Sequence, residues 1–248
     1  MSRVIVLADI HANLPALDAV LDDCGAYDSA WFLGDAVDLG PWPRECVSVV
    51  HDACAHSVVG NHDVLVLRSR ATDAARHDSG SPPSSQSQQF ARWRAISYAA
   101  LREEELSFLA ALPDRITVLE PGQKVLLLHH PYPHGYFHGT STAQDVAAAF
   151  DQPVHHDLVL FGHSHVFVDR EDSSVRYICA PSVGQPRDGD PRAGYLVIED
   201  GIVSLHRVEY DIARTVHAIK RLPLDEWFIE KWVRSVITAD LSDWHGNG

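Results

Sequence analysis

Positive charge is scarce in this sequence: 20 Lys and Arg stand against 34 Asp and Glu, a formal net charge of −14 over 248 residues. That balance excludes a long polyanion, such as a nucleic acid, gripped along a basic groove, because such binding needs clustered cations that displace counterions. It does not exclude a small anionic ligand, since bound cations can reverse a local field. Cysteine is also sparse. The four present (Cys24, Cys46, Cys54, Cys179) contain no C-x-x-C pair, which argues for buried reduced thiols rather than a disulfide framework or a thiolate zinc site. No apolar run approaches the roughly 18 residues of a membrane span. The start, Arg3-Val4-Ile5-Val6-Leu7, lacks the charged and apolar regions of a leader. A soluble protein of the cytoplasm is expected, with no membrane partner, and with 46% hydrophobic residues it has enough for a sizeable core. What is plentiful is histidine, at 16 residues.

Short β-rich apolar runs at 4–8, 30–33, 56–59, 125–128, 158–161, 175–179, 195–198 and 202–208 alternate with helical patterns. That alternation predicts an α/β fold with a mixed sheet system and helices outside. Asn13 or a neighbour is expected to cap a helix whose first turn holds Pro15. Glu199-Asp200-Gly201 signals a hairpin. One domain is expected to span 1–248, carrying a helical insert at about 65–112 and C-terminal helices at about 211–239. The polar, low-complexity stretch at 78–89 inside the insert reads as a loop.

The ends of five strands carry the chemistry. In order they read Asp9-Ile10-His11, Gly34-Asp35, Gly60-Asn61-His62-Asp63, His129-His130 and Gly162-His163-Ser164-His165. Each motif alone is an ordinary turn or surface pair. Together they place oxygen and imidazole donors beyond the carboxyl ends of successive strands, where α/β sheets form their ligand crevice. An Asp/Asn/His set suits Mn, Fe, Zn or Mg-like cations rather than metals that favour thiolate.

The set resembles the calcineurin-like metallophosphoesterases, whose pattern reads D-x-H, G-D, G-N-H-D/E, H and G-H-x-H, and the likeness runs from about Arg3 to Tyr210. Gly34-Asp35-Ala36-Val37-Asp38-Leu39-Gly40-Pro41 and Ser182-Val183-Gly184-Gln185-Pro186-Arg187-Asp188-Gly189-Asp190 are similar to a bacterial and archaeal phosphodiesterase-like group. The resemblance implies a β-sandwich flanked by helices, with a dinuclear site at one edge. It implies two divalent ions, manganese first, with Fe, Zn, Ni, Co or Mg as alternatives. Asp9, His11 and His165 would hold one ion, Asn61, His129 and His163 the other, and Asp35 would bridge them. A small phosphodiester, a cyclic nucleotide or nucleotide-derived ester, would be hydrolysed by in-line attack of a metal-bridging hydroxide. His62 would protonate the leaving oxygen, with Asp38 either orienting it or merely shaping the turn.

Departures from the pattern matter. Leu39 stands where the protein Ser/Thr phosphatases carry a phosphate-gripping Arg, which counts against a phosphoprotein substrate. His130 follows His129 where Gly is common; His129 is preferred as the ligand because it comes first after the strand. Ala12 replaces a Gly, and Cys179-Ala180-Pro181 replaces Asn-Pro-Gly. Arg187 and Arg44 are the candidates for substrate contact, and the aromatic loop at 130–138 reads either as rings that stack on a base or an aryl ester or as a solvated loop with a few packed rings. A phosphomonoesterase or phosphoprotein phosphatase is the alternative activity, and a non-catalytic scaffold the third reading. Whether the chain is a monomer or a dimer stays open; Trp227, Phe228, Ile229 and Trp232 are expected to be buried, with the choice between this chain and another left open.

Overall fold

The computed structural model describes residues 3–69, 85–120, 122–131, 136–150 and 154–244. Two five-stranded sheets stack face to face between layers of helix, as the α/β expectation required. In the first sheet the strand order is β10-β9-β1-β2-β3, from β1 (Arg3–Leu7), β2 (Ser29–Phe32), β3 (His56–Ser57), β9 (Ala193–Glu199) and β10 (Ile202–Val208). The second runs β4-β5-β6-β8-β7, from β4 (Arg115–Glu120), β5 (Gln123–Leu128), β6 (Leu158–Phe161), β7 (Val168–Asp172) and β8 (Val175–Cys179). β1, β2 and β3 pair in parallel, as do β5, β6 and β8.

Strand periodicity explains why the central strands are apolar throughout. In β1, Val4 and Val6 face the opposite sheet, where they meet Val125, Leu127, Leu158 and Leu160. Ile5 and Leu7 face the other way, onto Leu17 and Val20 of α1 (Leu14–Asp23) and Val47 and Val50 of α2 (Pro43–Ala53). Both faces of the strand are thus covered, as expected of parallel sheet. The two strands that were not anticipated, β4 and β7, are edges. β7 reads Val-Asp-Arg-Glu-Asp and buries only Val168, so it carries no apolar run to detect. β4 likewise buries only Val118.

The insert contributes α3 (Asn61–Arg68), α4 (Gln86–Ala100) and α5 (Glu103–Ala111). The expected loop at 78–89 is corrected at its end: Gln86 to Gln89 already belong to α4. Ser85 caps it, its backbone N–H donating to Gln88 Oε1 at 2.7 Å while its hydroxyl accepts from the Gln88 N–H. The rest of that stretch, 78–84, lies outside the described residues. A shorter helix, α6 (Ala143–Ala148), covers the second sheet. The C-terminal helices are α7 (Ile212–Ile219) and α8 (Glu226–Thr238). Phe228, Ile229 and Trp232 of α8 are buried within this chain, with Phe90 and Trp93 of α4 and with Leu39, whereas Trp227, also expected to be buried, lies on the exposed side of the helix. The indoles of Trp93 and Trp232 donate to the carbonyls of Gly40 and Leu39. Insert and C-terminal helices therefore meet on the loop that follows β2.

Asn13 occupies the N-cap of α1 but makes no capping hydrogen bond. Its side chain instead donates to Gly184 O at 2.8 Å and accepts from Thr215 Oγ1 at 2.9 Å, tying α7 and the 182–186 turn to the loop after β1. The cysteines are all free, with Cys24, Cys46 and Cys179 buried. Among the described residues no helix is long and apolar enough to cross a membrane.

Candidate metal centre

The loops after β1 and β2 are zipped together by backbone hydrogen bonds: Asp9 N–H to Gly34 O, His11 N–H to Asp35 O and Ala12 N–H to Ala36 O, at 2.9–3.0 Å. To present their side chains inward, these loops use left-handed backbone at non-glycine residues. Asp9, His11, Ala12, Asp35, Asp38, Leu39, His163 and His165 all have φ between 47° and 70°. Such conformations are costly for L-residues and collect at functional sites, where the surroundings hold them in place.

One buried carboxylate does much of that holding. Asp63, on the first turn of α3, accepts hydrogen bonds from the backbone N–H groups of Asp35, Ala36, Val37 and Gly60 at 2.9–3.2 Å. The loop after β2 and the start of α3 are thereby fixed to one side chain. Gly60 must be glycine, because a Cβ there would lie 2.1 Å from Asp35 Oδ1. On the far side, the Ser182 hydroxyl donates to Asp9 O at 2.7 Å, and Gln185 O accepts from His165 Nδ1 at 2.6 Å.

Within this frame the expected donors converge. The donor atoms of Asp9, His11, Asp35 and His165 lie within 4.8 Å of one another, and all four residues are buried. His11 Nε2 and His165 Nε2 are 3.1 Å apart, and His165 Nε2 is 3.4 Å from Asp9 Oδ1. A second set adjoins the first: Asn61 Oδ1 is 2.9 Å from His129 Nε2 and 2.8 Å from His163 Nδ1. Asp35 Oδ2 stands between the sets, 3.7 Å from His11 Nε2 and 3.1 Å from His129 Nε2.

This chemistry fits divalent cations. Asp35 Oδ2 is buried and accepts no hydrogen bond. His129 and His165 point their Nδ1 atoms at the carbonyls of Leu33 and Gln185, so their Nε2 lone pairs are aimed into the cluster. Burial raises the Asp9 carboxyl to about 7, with Asp35 adding to the effect. Burial opposes charge on His129, yet the Asp35 carboxylate outweighs it and lifts the ring to about 9. A positive charge is thus strongly favoured at this point, and a cation supplies it as well as a proton does. His130 also lies within reach of His129 and His163, with its ring stacked on His163 at 4.7 Å.

His62 sits beside the cluster, its ring edge-on to His11 at 4.9 Å. Its Nδ1 is 2.8 Å from Asp38 Oδ2, and Asp38 is fully buried. Burial works against charge on His62, but Asp35 and Asp38 outweigh it and raise the ring above its ordinary value. Arg187 lines two cavities, one shared with Tyr136 and Ser164 and the other with His62. Arg44 is not brought in: its guanidinium turns to the neighbouring Glu45, and it lines neither of those cavities. Of the aromatic loop at 130–138, Tyr136 lies against His163 with ring centroids 4.4 Å apart; residues 132–135 lie outside the described residues. His156 bonds Thr117 on edge strand β4 and stays away from the site. Two contributors escaped the sequence reading. Asp63 was visible in Gly60-Asn61-His62-Asp63 but had no assigned role, and Arg94, an ordinary helical arginine within the insert, carried no signal.

A family model described as the calcineurin-like phosphoesterase superfamily domain matches residues 2–200. An uncharacterized protein of Methanocaldococcus jannaschii is 33% identical over 253 residues, covering 93% of this chain and 97% of the relative. A crystal structure of a metallophosphoesterase from Sphaerobacter thermophilus is 32% identical with a TM-score of 0.71, over 96% of this chain and 99% of that one. A hypothetical protein from Pyrococcus horikoshii shares the fold, with a TM-score of 0.77 at 20% identity over 94% of this chain and 98% of its own.

Proposed function

Because the chain belongs to the calcineurin-like phosphoesterase superfamily, we propose that it is a phosphodiesterase that hydrolyses a small phosphodiester, a cyclic nucleotide or nucleotide-derived ester, in the cytoplasm. The observation that carries the reading is the Asp38–His62 pair, a positioned imidazole with a buried carboxylate behind it, set against a two-part donor cluster. Asp9, His11 and His165 would hold one divalent ion, Asn61, His129 and His163 the other, with Asp35 shared and manganese as the first candidate. When bound, such ions neutralise charge developing on phosphoryl oxygens and make water a competent nucleophile near neutral pH.

The protein's own groups have separate tasks. His62, held by Asp38 and carrying a proton, donates it to the departing ester oxygen. Arg187, half-buried and under the influence of Asp9 and Asp35, receives the substrate's negative charge. The apolar helices of insert and C-terminus wall this side from water. We read the chain as one domain in which those helices serve as a cap. Leu39, anchored through its carbonyl to Trp232, gives an apolar surface where a phosphatase would place an arginine, which favours a diester. A monoesterase is the second reading, because Arg94 and Arg187 together suit a dianion.

Hydrolysis of bis-p-nitrophenyl phosphate beside p-nitrophenyl phosphate, by Mn²⁺-reconstituted protein, decides between them. Faster turnover of the diester, abolished by chelator and reduced in His62→Ala, supports the proposal. Preference for the monoester moves the reading to a phosphatase, and folded protein that binds no metal sinks both.

A further inference from the structure

Two cavities meet at Arg187, and they differ in size and charge. The larger, about 550 Å³, is walled by Tyr136, Phe137 and Ser164 on one side and by Asp240 and Ser242 on the other. The smaller, about 150 Å³, lies against His62 and is closed by Leu39, Phe90, Trp232 and Trp244. Arg187 borders both, so one substrate can span them.

Among the described residues lining the smaller cavity, the ionisable side chains are His62, Arg94 and Arg187. Arg94 is delivered by α4. Its Nε donates to Asp38 Oδ2 at 3.3 Å, the same oxygen that holds His62 Nδ1. Among the described residues no carboxylate lines this cavity; Asp38, which both Arg94 and His62 engage, is not on its wall. The larger cavity differs in having a carboxylate, Asp240, on its wall together with Arg187 and His138.

We propose that the smaller cavity is the leaving-group subsite, and that Arg94 makes it selective for a compact, ring-sized leaving group bearing its own negative charge. The proposal rests on the phosphodiesterase reading and gives its cleavage a direction. A side chain that protonates the leaving oxygen has to border the leaving group, and His62 lines the smaller cavity but not the larger. An apolar cavity of about 150 Å³ holds a benzene-sized ring, and the aromatic walls offer edges and faces to pack on it. The larger cavity falls within the roughly 300–1,000 Å³ of ordinary small-molecule sites, enough for the group that keeps the phosphate. Cleavage then breaks the bond between phosphorus and the ring-bearing oxygen. That oxygen takes the proton from His62, water supplies the new oxygen on phosphorus and gives up a proton to solvent, and the larger group leaves as a phosphomonoester.

The test uses Mn²⁺-loaded protein and two probes of equal shape, 3-hydroxybenzoate and neutral 3-hydroxybenzamide. Binding is followed by calorimetry and by quenching of tryptophan fluorescence, since Trp232 and Trp244 wall the cavity. A charge-assisted contact predicts roughly ten- to hundredfold tighter binding of the benzoate. The preference should vanish in Arg94→Gln and be largely kept in Arg94→Lys. Equal binding by the wild type, or a preference that survives in Arg94→Gln, overturns the role of Arg94. In a second arm, the thymidine 5′-phosphate esters of the two probes are hydrolysed. The same preference in kcat/KM supports the subsite, whereas a binding preference without a hydrolytic one overturns its assignment to the leaving group. Failure to hydrolyse these esters and bis-p-nitrophenyl phosphate alike removes the phosphodiesterase reading and the leaving-group assignment with it; the binding arm still decides whether Arg94 makes an anion site.

Discussion

His62 reaches the site with one ring nitrogen engaged by Asp38 and the other face toward the cavity beside the cluster. A proton donor in that position matters in proportion to the basicity of the group it protonates. His62→Ala should therefore lower kcat by about 10²–10⁴-fold on an alkyl diester, and by distinctly less on a p-nitrophenyl ester, whose phenolate leaves unaided. Metal content by elemental analysis should be unchanged, because the cluster is built from other side chains; loss of metal would make His62 a ligand instead. The residues of the cluster were legible in the sequence because each sits at the end of an apolar strand with glycine beside it or a fixed spacing to a second donor. Arg94 was not. It acts through the folding of α4 onto the loop after β2, a contact between segments over 50 positions apart (56 for Arg94 and Asp38), and no local pattern distinguishes it from any surface arginine. Arg44 illustrates the converse, since it is near the site in sequence but has its guanidinium turned to Glu45.

At the scale of elements, the loop after β2 and the start of α3 behave as one unit through Asp63 and Gly60. Gly60→Ala drives a Cβ into the Asp35 carboxylate, so the variant should lose bound metal and melt at a lower temperature. Gly139→Ala, where an added Cβ meets nothing within 4 Å, should change neither, and equal behaviour of the two would refute the argument. Asp63→Asn keeps the volume but removes the charge and half the acceptor capacity from a group that serves four backbone donors. A loss of about 1–3 kcal/mol in denaturant unfolding is expected. Eight strands were readable from their apolar runs. The two missed, β4 and β7, are edges whose exposure lets charged and polar residues replace such runs. Asn13 was expected to cap α1 and sits at that position, but a side chain with two polar ends found more distant partners in Gly184 and Thr215.

For the molecule as a whole, the proposed ligands are divided between the two sheets: Asp9, His11, Asp35 and Asn61 follow strands of the first, His129, His163 and His165 strands of the second. Cations that bind only the assembled site stabilise the fold by mass action, about 4 kcal/mol at a thousand times Kd. Chelation should lower the melting temperature, and Mn²⁺ should restore it in a concentration-dependent way. Alkali tests the core independently. Burial raises the Cys54 thiol from 9.0 to about 12, and Cys46 well above its ordinary value too. Both remain protonated in the fold at pH values where the unfolded chain ionises them, so their contribution is intact below pH 9 and drains away toward pH 12. The melting temperature should fall across that window, and a Cys46→Ala, Cys54→Ala double variant, though weaker at neutral pH, should show a shallower fall. The split between sheets also sets a timetable for making the protein. His11 and His165 are 154 positions apart in the chain, and at roughly 5–20 residues per second a ribosome needs on the order of 8–30 s to pass from one to the other. With the proposed ligand set, the nascent chain would offer an ion only a partial grip until the later histidine emerges, and loading with metal would wait until both sheets exist.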